Sequence, residues 1–228
     1  MQRIIYDWLG REWVSLRAEG LPDLDVEEQT REIFRRFDVA LAGVGLSLAA
    51  TIRTRLWARD RGSRDQGSRV RAAVPAGAAR SASSSFIAPG YLDSEAVVAV
   101  QLWAMRSAGR DVEKTLIEYD PPIVPLRYLI RESVLALSGV TSLLPTLAEQ
   151  VPEILAGIEG SLAHAGAGWG DAVKISCLLH RSQSLTELRS LLAPVTARTS
   201  AAVEYGFADG YSTEGKLIEI EVTARVDR

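Results

Sequence analysis

The chain has 228 residues, 47% hydrophobic and 24% charged, with a formal net charge of −3, a length that allows one large domain or two of about 110 residues. The apolar content argues against extended disorder, and the near balance of 26 basic and 29 acidic side chains argues against a protein that works by global attraction to nucleic acid or an anionic membrane. The lone cysteine, Cys177, cannot form an internal disulfide and suits a reducing cytoplasm. Asp7, Arg11 and Glu12 interrupt the first residues too early for a signal-peptide core, and no run reaches the roughly 18 apolar residues of a membrane span. A cytoplasmic protein without membrane contact is expected.

Taken in order, Arg3 to Trp8 and Glu12 to Ala18 alternate about Leu9-Gly10 and predict a hairpin. Asp25 followed by Glu28 resembles a capping box, and Val26, Ile33, Phe34, Phe37, Leu41 and Val44 recur at helical spacing up to Gly45. Ala50 to Trp57 predicts a strand. A polar Arg/Gly/Ser loop, a short helix near Arg69 to Val74, and strands at Arg80 to Ile87 and Ala96 to Met105 follow. Arg106 to Lys114 is polar and glycine-bearing and predicts a linker between domains 1–108 and 109–228. Beyond it come an extra strand at Thr115 to Tyr119, a hairpin from Tyr128–Arg131 and Ser133–Ser138, and a long helix at Leu147 to Ala165. A strand at Ala172 to Leu179, a short helix at Leu185 to Leu192, and strands at Arg198 to Tyr205 and Lys216 to Arg225 complete the chain.

The second half restates the first. Setting Glu28-Gln29 on Glu149-Gln150 carries Trp13 onto Val134 through Trp57 onto Leu178 without a gap, pairing Ile33 with Ile154, Ala42 with Ala163 and Gly45 with Gly166. Past the variable loop the frame shifts and Arg80 falls on Arg198. Counting from Tyr91 on Tyr211, Ala99 stands where Glu219 does and Gln101 where Glu221 does. Read this way, the two halves share an arginine but only the second keeps the acids.

LALSG (Leu135 to Gly139), GDAVKISCLL (Gly170 to Leu179), ARTS (Ala197 to Ser200) and IEIEVTA (Ile218 to Ala224), in this order and spacing, resemble the RidA/YjgF family of enamine/imine deaminases. The resemblance covers most of both halves and lies in the order of the motifs rather than in any one of them. It implies an α+β chain of two tandem chorismate-mutase-like domains, each a mixed sheet with two helices on one face. It also implies association as a trimer or a pseudo-hexamer, with substrate clefts between subunits, and no cofactor or metal. The family's carboxylate-binding arginine maps to Arg198 and its water-positioning glutamate to Glu219. Ser138 and Gly139 match its Ser-Gly pair, with Val140 where glutamine is usual, and Ser200 stands where cysteine is frequent. In the first half Arg80 is retained, while Arg17 takes the place of Ser138 and suggests a second cleft.

The guanidinium of Arg198 presents a planar fork suited to a carboxylate, and Glu219 on the neighbouring strand would activate water for attack on an imine carbon. The bland alternative for the same two residues is a cross-strand ion pair. The expected reaction is hydrolysis of a small 2-aminoacrylate-like imine or enamine carboxylate to ammonia and a 2-keto acid. The alternatives are a non-catalytic metabolite-binding or regulatory protein, and a specialised biosynthetic enzyme of chorismatase type. Glu221, on the same face as Glu219, leaves one of the two acids for solubility or an interface. His164 and His180 read as surface residues and Cys177 as a buried, inert thiol. The arginines at 53, 55, 59, 61, 64, 69 and 71 lack the interleaved aromatics of a nucleic-acid surface, so a solvated loop or the mouth of an anionic-ligand site is expected, not a nucleic-acid contact.

Overall fold

The computed structural model describes residues 1–109, 113–123 and 125–226, so residues 110–112 of the predicted linker lie outside the described residues. The chain divides into two compact units, Met1–Lys114 and Thr115–Arg228. The division falls at Lys114 rather than at residue 108. The reason is local: the Lys114 ammonium donates to the carbonyls of Thr51 and Arg80 at 2.8 and 2.5 Å, which ties it to the first unit.

In the first unit, β1 (Gln2–Trp8) and β2 (Arg11–Glu19) form the predicted hairpin. Leu9 and Gly10 both carry positive φ, 56° and 73°, the conformation a two-residue type I′ turn requires. Helix α1 (Val26–Ala42) starts where Asp25 accepts from the Glu28 amide and buries Ile33, Phe34, Phe37 and Leu41. Strand β3 (Thr51–Ala58), helix α2 (Arg61–Ala73), and strands β4 (Ala82–Ile87) and β5 (Val98–Met105) complete a sheet of order β1-β2-β5-β3-β4. Only β3 and β4 run parallel, which is what a helical crossover between them dictates. Val14, Leu16, Leu56, Val98, Val100 and Leu102 form one face of the sheet and pack with α1 in a single core.

The second unit repeats this plan. It runs β6 (Thr115–Ile117), β7 (Tyr128–Arg131), β8 (Val134–Leu137), β9 (Val140–Thr141), α3 (Leu147–His164), β10 (Ala172–His180), α4 (Leu185–Thr196), β11 (Ala202–Ala208) and β12 (Ile218–Arg225). The sheet order is β11-β10-β12-β8-β7-β6, with β9 also on β12, the first unit's order with β6 added at the β7 edge. Val151, Ile154 and Ile158 of α3 and Leu188 and Leu192 of α4 cover Ile175, Cys177, Ile220 and Val222. Among the described residues no helix is long and apolar enough to cross a membrane.

The Glu-Gln pair that registers the two halves is a structural clasp in both. The Gln29 amide donates to the Leu24 carbonyl at 2.8 Å while its oxygen accepts from the Val97 amide at 3.1 Å. Gln150 does the same with the Leu144 carbonyl at 2.7 Å and the Leu217 amide at 2.9 Å. Each glutamine is fully buried and pins the approach to its helix against the approach to its last strand.

Three expectations need correcting. The polar loop after β3 is helix: Asp60 caps it, accepting from the Ser63 amide at 2.9 Å and hydroxyl at 3.0 Å. Its contact face is made by Ser63, Gly67, Val70 and Arg71 rather than by a stripe of large apolar side chains, so helical periodicity is silent. A Cβ on Gly67 would stand 2.9 Å from Leu56 Cδ1. The arginine run is not a solvated loop either. Arg53, Arg55 and Arg71 are buried, Arg71 donates to the Ser84 carbonyl, and Arg59 donates to the carbonyls of Ser94 and Ala96. Finally, Arg198 precedes β11 instead of heading it, because α4 runs on to Thr196 and the strand begins only at Ala202.

Cys177 is fully buried, and burial, aided by the charges of Glu204 and Glu221, pushes its thiol up to about 12. Since the thiolate is the reactive form, a disulfide reagent at pH 8 is expected to leave the native protein unlabelled and to titrate one thiol after denaturation. Stoichiometric labelling of the folded protein would contradict this.

Candidate active site

The acid expected at Glu219 sits at a break in the sheet. Strand β8 stops at Leu137 and β9 resumes at Val140, both on β12: Thr223 faces Ala136, whereas Ile220 faces Val140 and Glu219 faces Thr141. One extra residue is therefore accommodated on the β8–β9 side. Ser138 and Gly139 form that bulge, a device often found beside active sites. Glu219 lies across it: a Cβ on Gly139 would stand 1.7 Å from Glu219 Oε1 and 2.4 Å from its Cδ. Only glycine leaves room for this carboxylate, which is 7% exposed, and Ser138 beside it is fully buried. The sequence placed Ser138, Gly139 and Glu219 in one site, and the fold brings the three together.

Two tyrosines that the sequence did not assign to the site lie near the same charge. Tyr211 donates its hydroxyl to the carbonyl of Leu178 at 2.7 Å, and Leu178 is the residue facing Glu219 on β10. Burial, with Glu219 adding to it, raises the Tyr211 phenol far above its ordinary range. Tyr119 is raised chiefly by burial, with Arg127 opposing and Glu219 reinforcing the shift. The only sequence signal was positional, since Tyr211 marks the Gly-Tyr frame. Glu221 is buried and faces Ser176, which removes solubility as its role. His164 stands at the end of α3, where Nδ1 meets the Tyr128 hydroxyl at 2.5 Å, and His180 Nδ1 meets Ser182 Oγ at 2.7 Å.

Arg198 and Ser200 are elsewhere. The strands that carry the two halves of the expected pair are not neighbours, because β10 lies between β11 and β12. The Thr199 hydroxyl donates to the carbonyl of Ala172 at 3.1 Å, at the start of β10, while Glu219 faces Leu178 near its other end. Six residues of strand at about 3.3 Å each separate the two by about 20 Å, more than the side chains can span. Arg198, with its side chain 58% exposed, instead meets Glu159 of α3 at 3.0 Å. Neither a cross-strand ion pair nor a single-domain site is formed by Arg198 with Glu219.

Among solved structures, a chorismatase aligns over 94% of this chain and 74% of its own, at 17% identity and a TM-score of 0.64. That match runs through both units. The fold is the RidA/chorismatase fold, present twice. Single-domain structures align with half of the chain. A YjgF/YER057c/UK114-family protein from Mycobacterium tuberculosis covers 50% of this chain and 100% of its own at 20% identity and a TM-score of 0.44. The Rid-family protein YyfA from Yersinia pestis covers 50% and 99% at 21% identity and a TM-score of 0.46. No family model and no curated protein matches the sequence.

Within the first RidA-like domain the corresponding place is built differently. Its ladder runs unbroken, with Arg17 facing Gln101, Ala18 facing Val100 and Glu19 facing Ala99, so no bulge is present. An acid does stand there: Glu19, directly opposite the alanine that replaces the second domain's glutamate. It accepts from the Asp93 amide at 2.8 Å, the Ser94 amide at 3.0 Å and hydroxyl at 2.5 Å, and Arg17 at 3.2 Å. Arg17 also pairs with Asp93 at 3.1 Å and donates to the Tyr91 carbonyl, and the Tyr91 ring stacks on Trp57, 3.8 Å away and 3° from parallel. A cavity of about 490 Å³ opens beside Arg17, Glu19, Arg36 and Asp93 within the first unit. Arg17 and Arg80 do not meet in it. Arg17 is drawn toward Asp93, whereas the Arg80 backbone is tied to the Thr51 end of β3 through Lys114.

Glu19 therefore acts as a strut. Burial pushes its carboxyl up, but the Asp93 and Ser94 donors and Arg17 outweigh it and hold it below the ordinary glutamate range. A carboxyl lowered on folding contributes stability at neutral pH that is lost as pH falls through its folded value. Glu19→Gln is expected to lower Tm at pH 7 by several degrees and to flatten the loss of Tm between about pH 5 and pH 3. A wild-type acid profile in the variant would remove the strut role.

Proposed function

We propose that the chain is a cofactor-independent hydrolase of small imine or enamine carboxylates, 2-aminoacrylate-like, releasing ammonia and a 2-keto acid. The second domain is the catalytic one. The observation that carries this reading is the buried Glu219 carboxylate laid over Gly139 beside Ser138. Such an acid is expensive to bury without a task, and the glycine that admits it has no other evident use.

In the proposed reaction the substrate carboxylate exchanges with Glu159 for the fork of Arg198. That exchange costs little, because the existing ion pair is solvent-exposed. Glu219 takes a proton from water as its oxygen bonds to the imine carbon and the C=N electron pair moves to nitrogen. The proton is passed to that nitrogen to give the carbinolamine, and Glu219 next accepts its hydroxyl proton as C=O forms and hands that proton to the nitrogen as the C–N bond breaks, so that ammonia leaves and the carboxylate is regenerated. Ser138 and Ser200 serve as hydrogen-bond donors to substrate.

Because Arg198 and Glu219 lie at opposite ends of β10, the site takes Arg198 from the second domain of another copy of the chain, in a ring such as a trimer. A second reading is favoured by the extent of the chorismatase likeness, which spans both domains: the same acid would serve a chorismatase-like hydrolysis. Ammonia release from 2-aminoacrylate generated in situ, run beside consumption of chorismate, decides between them. Turnover of neither, with saturable keto-acid binding, would leave the metabolite-binding alternative.

A further inference from the structure

Strand β1 forms one edge of the first-domain sheet, yet it is poorly protected. Ile4 and Ile5 are 54% and 46% exposed although they point to opposite faces. An exposed apolar edge strand offers a row of backbone donors and acceptors to another chain. Which groups are on offer follows from the hairpin. Trp8 and Arg11 close a two-residue turn, so they form a hydrogen-bonded pair, and bonding alternates from there. Trp8, Tyr6, Ile4 and Gln2 direct their N–H and C=O toward β2, whereas Asp7, Ile5 and Arg3 direct theirs outward.

We propose that β1 joins two copies of this chain, pairing antiparallel with its own counterpart about a twofold axis at Ile5. In this register Ile5 faces Ile5 of the second copy, Arg3 faces its Asp7 and Asp7 faces its Arg3. The outward-pointing residues then face one another and form about six interstrand hydrogen bonds. The same register overlaps all of Gln2–Trp8 and sets Ile4 against Tyr6 on the other face. A shift by one residue opposes outward with inward backbone groups. A shift by two in either direction shortens the overlap and puts Arg3 or Asp7 against Ile5. Full overlap, backbone parity and charge complementarity therefore select one register, as a self-complementary twofold contact requires. The contact is independent of the catalytic reading: it joins first domains, whatever ring the second domains form.

Sedimentation velocity of the full chain over about 1 to 100 µM tests it. The wild type is expected to associate to twice the mass of the assembly formed by Ile5→Pro, a change that spares the hairpin because the Ile5 N–H points away from β2. Asp7→Arg alone is expected to weaken association at least tenfold, and Arg3→Glu with Asp7→Arg to restore it, since the exchanged charges face each other again. Equal masses for wild type and Ile5→Pro, or failure of the double reversal to recover association, would overturn the proposal. Wild-type Tm and circular dichroism verify that each variant is folded.

Discussion

Gly139→Ala is expected to abolish turnover by the second domain. The added Cβ would fall 1.7 Å from Glu219 Oε1, a contact that cannot be relieved without moving the carboxylate off the bulge or opening the β8–β12 seam. Overpacking of this kind costs about 1–3 kcal/mol, or roughly 2–4 °C in Tm per kcal/mol for a chain of this size. The variant should therefore remain folded. Its activity should fall by about 10²- to 10⁴-fold, the range for loss of a general acid–base, and match that of Glu219→Gln. The double variant should be no worse than either single one, because both remove the same group. Full activity in folded Gly139→Ala would mean that Glu219 is not the base, or does not need the position in which the fold holds it.

Arg198→Ala is expected to lower kcat/KM by about 10²-fold or more, as loss of a charge-assisted carboxylate clamp does, with little change in Tm because its ion pair with Glu159 is exposed. The decisive measurement is complementation. Arg198→Ala and Glu219→Gln chains are each inactive alone. Mixed in equal amounts, dissociated and reassembled, they should recover about a quarter of wild-type activity by random placement around a ring. In those sites an intact Glu219 meets an intact Arg198 from the neighbouring chain. No recovery after demonstrated exchange would place both groups in sites that do not share chains, against the 20 Å argument along β10.

Most of the architecture was legible from periodicity. Alternation located the hairpins and the last strands of each half, and 3.6-residue spacing located α1 and α3, because these elements bury large apolar side chains on one face. The first two turns of α2 escaped, and only its end near Arg69 was expected as helix, because its contact face includes Ser63, Gly67 and Arg71, which read as loop when counted by hydrophobicity. Glu19 escaped for a different reason. Internal alignment compares positions along the chain and correctly found alanine at 99, but an acid brought to the same place from the facing strand leaves no trace in that comparison. The first domain therefore carries a carboxylate on the facing strand, opposite Ala99, where it is held as a strut.

The sequence by itself determined that the chain is a duplicated α+β unit, singled out Ser138, Gly139 and Glu219 in the second half as candidate site residues, and indicated that the first half departs from them. These conclusions rest on local patterns and on the order of motifs, which a chain carries in one dimension. Only the tertiary structure decided which strands are neighbours. Strand β10 lies between β11 and β12, so an arginine and a glutamate that look like a cross-strand pair in sequence stand at opposite ends of the sheet. Pairing order and register arise from long-range backbone hydrogen bonds that any side chain of suitable shape permits. For this reason the composition of the Arg–Glu stretch was readable, whereas the separation of its two ends along β10 was not.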